Sequence, residues 1–183
     1  MATPEFDDFV RRQQAKKREN NELDVGRQLE EWREYLAILY RMIEDYLAAY
    51  INNGAAAIEY RAIEINEEFS GPYKVDQMNL AIGPSTIQFK PIGTMLIGSK
   101  GRVDVQGPHG TARFVLMNRM ISEPRQLIRI SVSVNVPPAP PPVSESDTPI
   151  DWAWKLATSP PDMRFIDLDE ATFFNTILLV ADA

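Results

Sequence analysis

Leu29-Glu30-Glu31-Trp32-Arg33-Glu34-Tyr35-Leu36-Ala37-Ile38-Leu39-Tyr40-Arg41-Met42-Ile43-Glu44-Asp45-Tyr46-Leu47-Ala48-Ala49-Tyr50 is the stretch that decides the fold of this chain. Its apolar residues fall at Leu29, Trp32, Leu36, Leu39, Ile43, Tyr46 and Tyr50, in alternating steps of three and four, so they line one side of an α-helix. Tyr35, Tyr40, Met42 and Leu47 widen that stripe beyond a pure coiled-coil seam, and the helix is therefore expected to pack on a sheet or in a helical dimer as well. Asn52-Asn53-Gly54 supplies residues that tolerate the left-handed turn closing a helix. A helix over 23–53 would be about 45 Å long, whereas a six-residue strand spans only about 20 Å. Part of the stripe is thus expected to meet another chain, which makes Leu29, Trp32, Leu36, Leu39, Ile43, Tyr46 and Tyr50 the candidate interface of a coiled-coil-like homo-oligomer.

Upstream, residues 1–22 are polar, with Arg11, Arg12, Lys16, Lys17 and Arg18 offset by Glu5, Asp7, Asp8 and Glu19, and read as a solvated or helical lead-in. Downstream of Gly54 the period changes to two. Ile58, Tyr60 and Ala62 alternate with polar residues, then the pattern slips by one to Ile63 and Ile65, as a β-bulge would require. Ala55-Ala56-Ala57 leaves a helical continuation open as the alternative. Short apolar or alternating runs at 73–82, 86–97, 102–106, 111–118 and 127–136, bounded by Gly, Pro or Asn, read as antiparallel meander strands, with a bend where Pro91 and Gly93 interrupt the second of them.

The prolines of Pro137-Pro138-Ala139-Pro140-Pro141-Pro142 favour a stiff polyproline II spacer. Beyond it Trp152 and Trp154, two apart, would share one face of a strand, and Leu168-Asp169-Glu170 opens an apolar run through Phe173, Phe174 and Ile177 with acids suited to a helix N-terminus. The expected fold class is α+β: a long N-terminal amphipathic helix packed on a curved antiparallel sheet of five to six strands, followed by a C-terminal helix. The expected organisation is a lead-in (1–22), a helix-plus-sheet domain (23–136), a Pro-rich spacer (137–149) and a C-terminal docking arm (150–183).

Composition narrows the chemistry. With no cysteine, thiolate nucleophiles, disulfides and sulfur-based zinc sites are excluded. The net charge of -7 is concentrated in residues 28–70, where three arginines face nine acids, so binding to nucleic acid is disfavoured. No run reaches the roughly 18 apolar residues of a membrane span and no secretory signal is present, so a soluble, cytoplasmic protein is expected.

His109, the single histidine, lies in Gly107-Pro108-His109-Gly110, the composition of a hairpin tip. Gly98-Ser99-Lys100-Gly101-Arg102 combines glycines with cations as an anion-cradling loop does, but without P-loop spacing, and a hairpin turn explains it equally well. Residues 100–129 carry a local charge of +4, and Lys100, Arg102, His109 and Arg113 form the candidate anion or partner site. Trp152 and Trp154 are candidate partner anchors. No acidic cluster has the spacing of a metal site, no cofactor motif occurs, and no catalytic set is named.

The function this pattern predicts is a non-enzymatic binding or assembly protein that oligomerises through its long helix. An immunity, antitoxin or defence-accessory protein that neutralises a basic partner is one concrete form. The alternative is a small-molecule or anion-binding domain, an enzyme included, with a pocket between sheet and helix and Lys100, Arg102 and His109 at its mouth.

Overall fold

A computed structural model describes residues 4–68, 70–94, 99–127 and 149–182. Residues 128–136 of the expected strand over 127–136, residues 137–148 of the proline-rich spacer, Gly98 and Arg129 lie outside the described residues, and Leu127 closes a short 3-10 turn over Pro124–Leu127. The chain begins with helix α1 (Pro4–Asn52), continues through strands β1 (Ala56–Glu67), β2 (Gly71–Ile82), β3 (Ser85–Gly93), β4 (Ser99–Gln106) and β5 (Thr111–Asn118), and ends with β6 (Trp152–Ala157), β7 (Phe165–Asp167) and helix α2 (Glu170–Ala181). The seven strands form one antiparallel sheet in sequence order, an open meander. The fold is α+β as expected, with seven strands among the described residues rather than five or six. The surplus comes from residues 152–167, where Trp152, Trp154 and Leu156 alternate with Ala153, Lys155 and Ala157 and pair with β5 and β7. The segment read as a docking arm therefore completes the sheet.

The stripe of α1 closes on this sheet. Trp32, Leu39 and Ile43 have no exposed surface, Leu36 and Leu47 have almost none, and all five join the core with Phe89, Val103, Phe114 and Leu116 from the strands. Each such side chain contributes about 1.5–3 kcal/mol on leaving water. Tyr40 adds a hydrogen bond, its hydroxyl donating to the Asp76 carbonyl at 2.6 Å. The helix stops where expected, at Asn52, and Gly54 takes a φ of 77° to turn the chain into β1. Its start lies far upstream of residue 23, because Pro4 occupies a first-turn position that needs no amide donor and no further proline interrupts the run to Asn52. α2 lies beside α1 on the same face: the Phe173 ring sits 5.6 Å from Tyr46 and stacks on Phe89 at 6.3 Å. Asp169 caps α2, its carboxylate accepting from the Thr172 amide at 2.7 Å.

The bulge expected at Ala62-Ile63 does not form. β1 and β2 pair without a shift from Ala56↔Ile82 to Glu67↔Gly71, because the slip in β1 is answered by an equal one in β2, where Val75 and Met78, three apart, both enter the core. Two strands that change phase together need no extra residue. The register does shift at Pro91/Gly93, where the sequence predicts a bend, and again at Ser99/Gly101.

The other face of β5–β7 carries a smaller cluster of Val115, Met117 and Phe165. Lys155 is buried on that side of β6 and is neutralised by Asp167 of β7 at 2.7 Å.

Burial raises the pKa of three tyrosines above their ordinary 10.0. Burial is the leading cause for each, followed by Tyr60 and Asp76 beside Tyr40, the Glu44 carboxylate accepting from Tyr60, and the Glu67 carboxylate accepting from Tyr73. The neutral phenols are the stabilised forms, so their contribution is fully present below pH 10 and is lost as pH rises through the folded values. A spectrophotometric titration should accordingly show a fraction of the tyrosinate signal delayed until the protein unfolds, and Tyr40→Phe should remove part of that delayed amplitude. A single step centred at pH 10 in the folded protein would contradict this.

Candidate functional site

Only half of α1 lies on the sheet. The helix is about 73 Å long, Val25 is half-buried, and Arg27 and Gln28 line a groove with Thr94, Lys100 and Trp152, so residues 4–24 extend about 31 Å beyond the body. From Phe6 to Asp24 every described side chain is exposed except the half-buried Val10. Phe6 and Phe9, one turn apart with ring centroids 6.2 Å from each other, are 56% and 48% exposed. Two neighbouring phenylalanines at the end of a solvated helix make a compact apolar tip, and the basic run from Arg11 to Arg18 follows it directly.

The predicted oligomer interface is corrected by this geometry. Trp32, Leu36, Leu39 and Ile43 are consumed by the chain's own core, Leu29 and Tyr46 pack at its margin, and only Tyr50, 49% exposed, reaches the surface. The physical reason is that an apolar stripe at helical spacing is equally satisfied by a sheet or by a second helix, and here the sheet of the same chain covers it.

The candidate anion site is dispersed. Lys100, next to the register shift that opens β4, turns toward α1, where it pairs with Glu31 and lies over the rings of Tyr35 at 5.4 Å and Trp152 at 5.1 Å. Arg102 belongs to the opposite face and binds Asp104 through two hydrogen bonds of 2.6 and 2.8 Å. Register places Asp104 between Lys90 and Arg113 on that same face. Arg102 and Arg113 thus flank one acid, as alternation along β4 requires, and Arg102 is already neutralised.

His109 sits at the far end of the β4–β5 hairpin, about 25 Å from Lys100 at the rise of a strand. Its contribution there is a backbone one: the His109 amide donates to the Val180 carbonyl at 2.9 Å, closing the end of α2. The glycine before Pro108 serves the same packing, since a Cβ on Gly107 would lie 2.2 Å from that carbonyl oxygen.

Trp152 and Trp154 do share a face of β6. Trp154 is buried, its ring 6.0 Å from Trp32 and its indole N–H donating to the Tyr35 carbonyl at 3.0 Å, whereas Trp152 is half-buried beneath Lys100. Together these groups fasten α1 to the sheet.

At the opposite end of the body an apolar cleft of about 280 Å³ opens between the last turn of α1, the start of β1 and α2. Tyr50, Ala56, Ile82, Phe174, Ile177 and Leu178 form its walls, and Leu178 is 59% exposed. Asp45, Asp169 and Glu170 gather around Tyr46, one helical turn from Tyr50, and raise the pKa of its hydroxyl together with burial, which is the larger cause. Neither helix carries a basic residue in its last turn.

Sequence reasoning passed over the Phe6/Phe9 pair, although its spacing of three within a charged segment is the signal that marks it. It also passed over the cleft, whose walls come from four separated elements. Among the described residues no helix is long and apolar enough to cross a membrane, and no group of three potential ligands is placed to hold a metal ion. No protein-family model, curated protein or solved structure matches the chain. The class its own architecture defines is an α+β protein with a seven-stranded antiparallel meander, a helix pair on one face and a helical arm that outreaches the sheet.

Proposed function

We propose that this is a non-enzymatic assembly or protein-binding protein whose contact element is the free N-terminal half of α1. The observation carrying the proposal is the exposed Phe6–Phe9 tip on a helix that extends about 31 Å past the body. Two half-exposed phenyl rings side by side gain free energy by entering a partner, about 1.5–3 kcal/mol for each ring fully buried. The rod holding them is continuous with a helix anchored in the body, so little ordering entropy remains to be lost on binding. The dispersal of Lys100, Arg102 and His109 supports this reading over an anion pocket.

Light scattering coupled to size exclusion tests it. The full chain is expected above the monomer mass, and a Phe6→Ala/Phe9→Ala variant at the monomer mass with an unchanged circular dichroism spectrum. Charged substitutions at Leu36, Leu39 or Ile43 would not serve, since they breach the core. A wild-type chain that stays monomeric as its concentration is raised would refute self-assembly through the arm.

A further inference from the structure

The arm and the cleft lie at opposite ends of the molecule, and their chemistry matches. At 100° per residue, Phe6, Phe9, Val10, Gln13, Lys16 and Lys17 fall within a sector of about 120°, with Asp7 and Asp8 turned away from it. That side of the arm is an apolar tip followed by two lysines. The cleft is an apolar hollow followed, one helical turn back along α1, by Asp45 and, at the start of α2, by the carboxylates of Asp169 and Glu170. The uncompensated C-terminal end of α1 adds negative potential at its mouth. A cavity of about 150 Å³ accepts a benzene ring, so the hollow has room for one phenyl group with the second packed at its mouth.

Side-by-side pairing of two arms fits less well. Between Val10 and Leu23 the one apolar residue is Ala15, so two arms would share no seam, and a parallel pair would set their basic runs against each other. Nor can one chain satisfy itself, because tip and cleft are separated by nearly the full length of a continuous helix.

Building on the arm reading above, we propose that the Phe6–Phe9 tip of one chain seats in the Tyr50–Phe174–Leu178 cleft of a second copy, with Lys16 and Lys17 meeting Asp45, Asp169 and Glu170. Such a contact joins two different surfaces. It is head-to-tail: two antiparallel copies that exchange tips close a two-fold dimer, and copies that do not close in this way build a ring or an open filament.

Two surface variants of the full chain test this, each checked for folding by circular dichroism: a tip variant, Phe6→Glu/Phe9→Glu, and a cleft variant, Ala55→Glu/Leu178→Glu, all four at exposed positions. Wild type is expected as an assembly, a reciprocal dimer or a larger species, that dissociates as salt screens the lysine–carboxylate contacts. Each variant alone is expected as a monomer, and an equimolar mixture as a dimer and nothing larger, since one intact tip and one intact cleft remain between them. If the cleft variant assembles like wild type while the tip variant is monomeric, the arm docks elsewhere: the inference is overturned and the arm reading survives. If the tip variant assembles like wild type, or wild type is monomeric, self-assembly through the arm falls and the inference with it.

Discussion

Trp32→Ala is expected to lower the free energy of unfolding by about 3–5 kcal/mol, the range for truncating a fully buried aromatic side chain. Trp32 has no exposed surface, its ring lies 6.0 Å from that of Trp154, and its six-membered edge rests against the backbone of β4 at Gly101. It is the point at which α1 is seated on the centre of the sheet. Neighbours on the sheet cannot collapse into the space it leaves, because the antiparallel ladders on both sides of β4 hold the strand in place. A domain stable by about 5–15 kcal/mol would lose a large part of that margin. Urea unfolding followed by tryptophan fluorescence and circular dichroism measures the loss. A decrease below about 1 kcal/mol would mean that the helix is held chiefly by other contacts.

Gly101→Ala is expected to cost about 3 kcal/mol, against the direction of intrinsic preference. Glycine inside a strand is ordinarily less stable than alanine by about 0.5–1 kcal/mol, so the substitution would be favourable if only the backbone mattered. Here the new Cβ would fall 2.0 Å from the Trp32 ring, and that ring is itself pinned. Overpacking of this kind forces a shift of side chain or strand. The decisive measurement is the double-mutant cycle. With Trp32 already truncated, Gly101→Ala should become neutral or stabilising, so the two effects fall well short of additivity. Additive costs would place the strain somewhere other than the ring–backbone contact. The glycine that resembles part of an anion loop in the sequence is therefore a packing residue.

These two positions show how far the linear pattern reaches. The steps of three and four from Leu29 to Tyr50 announce a helix with one apolar side, and Asn52-Asn53-Gly54 announces its end, because helical period and left-handed turns are local properties of the chain. The alternating runs announce β1 to β5, and Pro91 with Gly93 a register break, for the same reason. What covers the stripe is not local. A sheet and a second helix satisfy the same spacing, and the choice depends on the combined faces of strands up to 120 residues away, including Trp154, whose indole bonds to the Tyr35 carbonyl.

The candidate site divides along the same line. Alternation along β4 was enough to put Arg102 and Asp104 on one side, and hairpin composition was enough to put His109 at a tip. That Lys100 turns to the other side depends on the register shift at Ser99/Gly101, which arises from the fit of β4 to its neighbours. The cleft, walled by α1, β1, β2 and α2, exists only once those elements are assembled. The sequence by itself thus determined the apolar stripe and the end of α1 and the order of β1 to β5, since these follow from short-range geometry and the pairing of water-avoiding side chains at period 3.6 or 2, whereas β6 and β7 were settled by pairing with β5 and with each other. The tertiary structure alone decided that the stripe is core, that the arm stands free and that a cleft opens at the opposite end, since burial is settled by whichever surfaces the whole chain brings into contact.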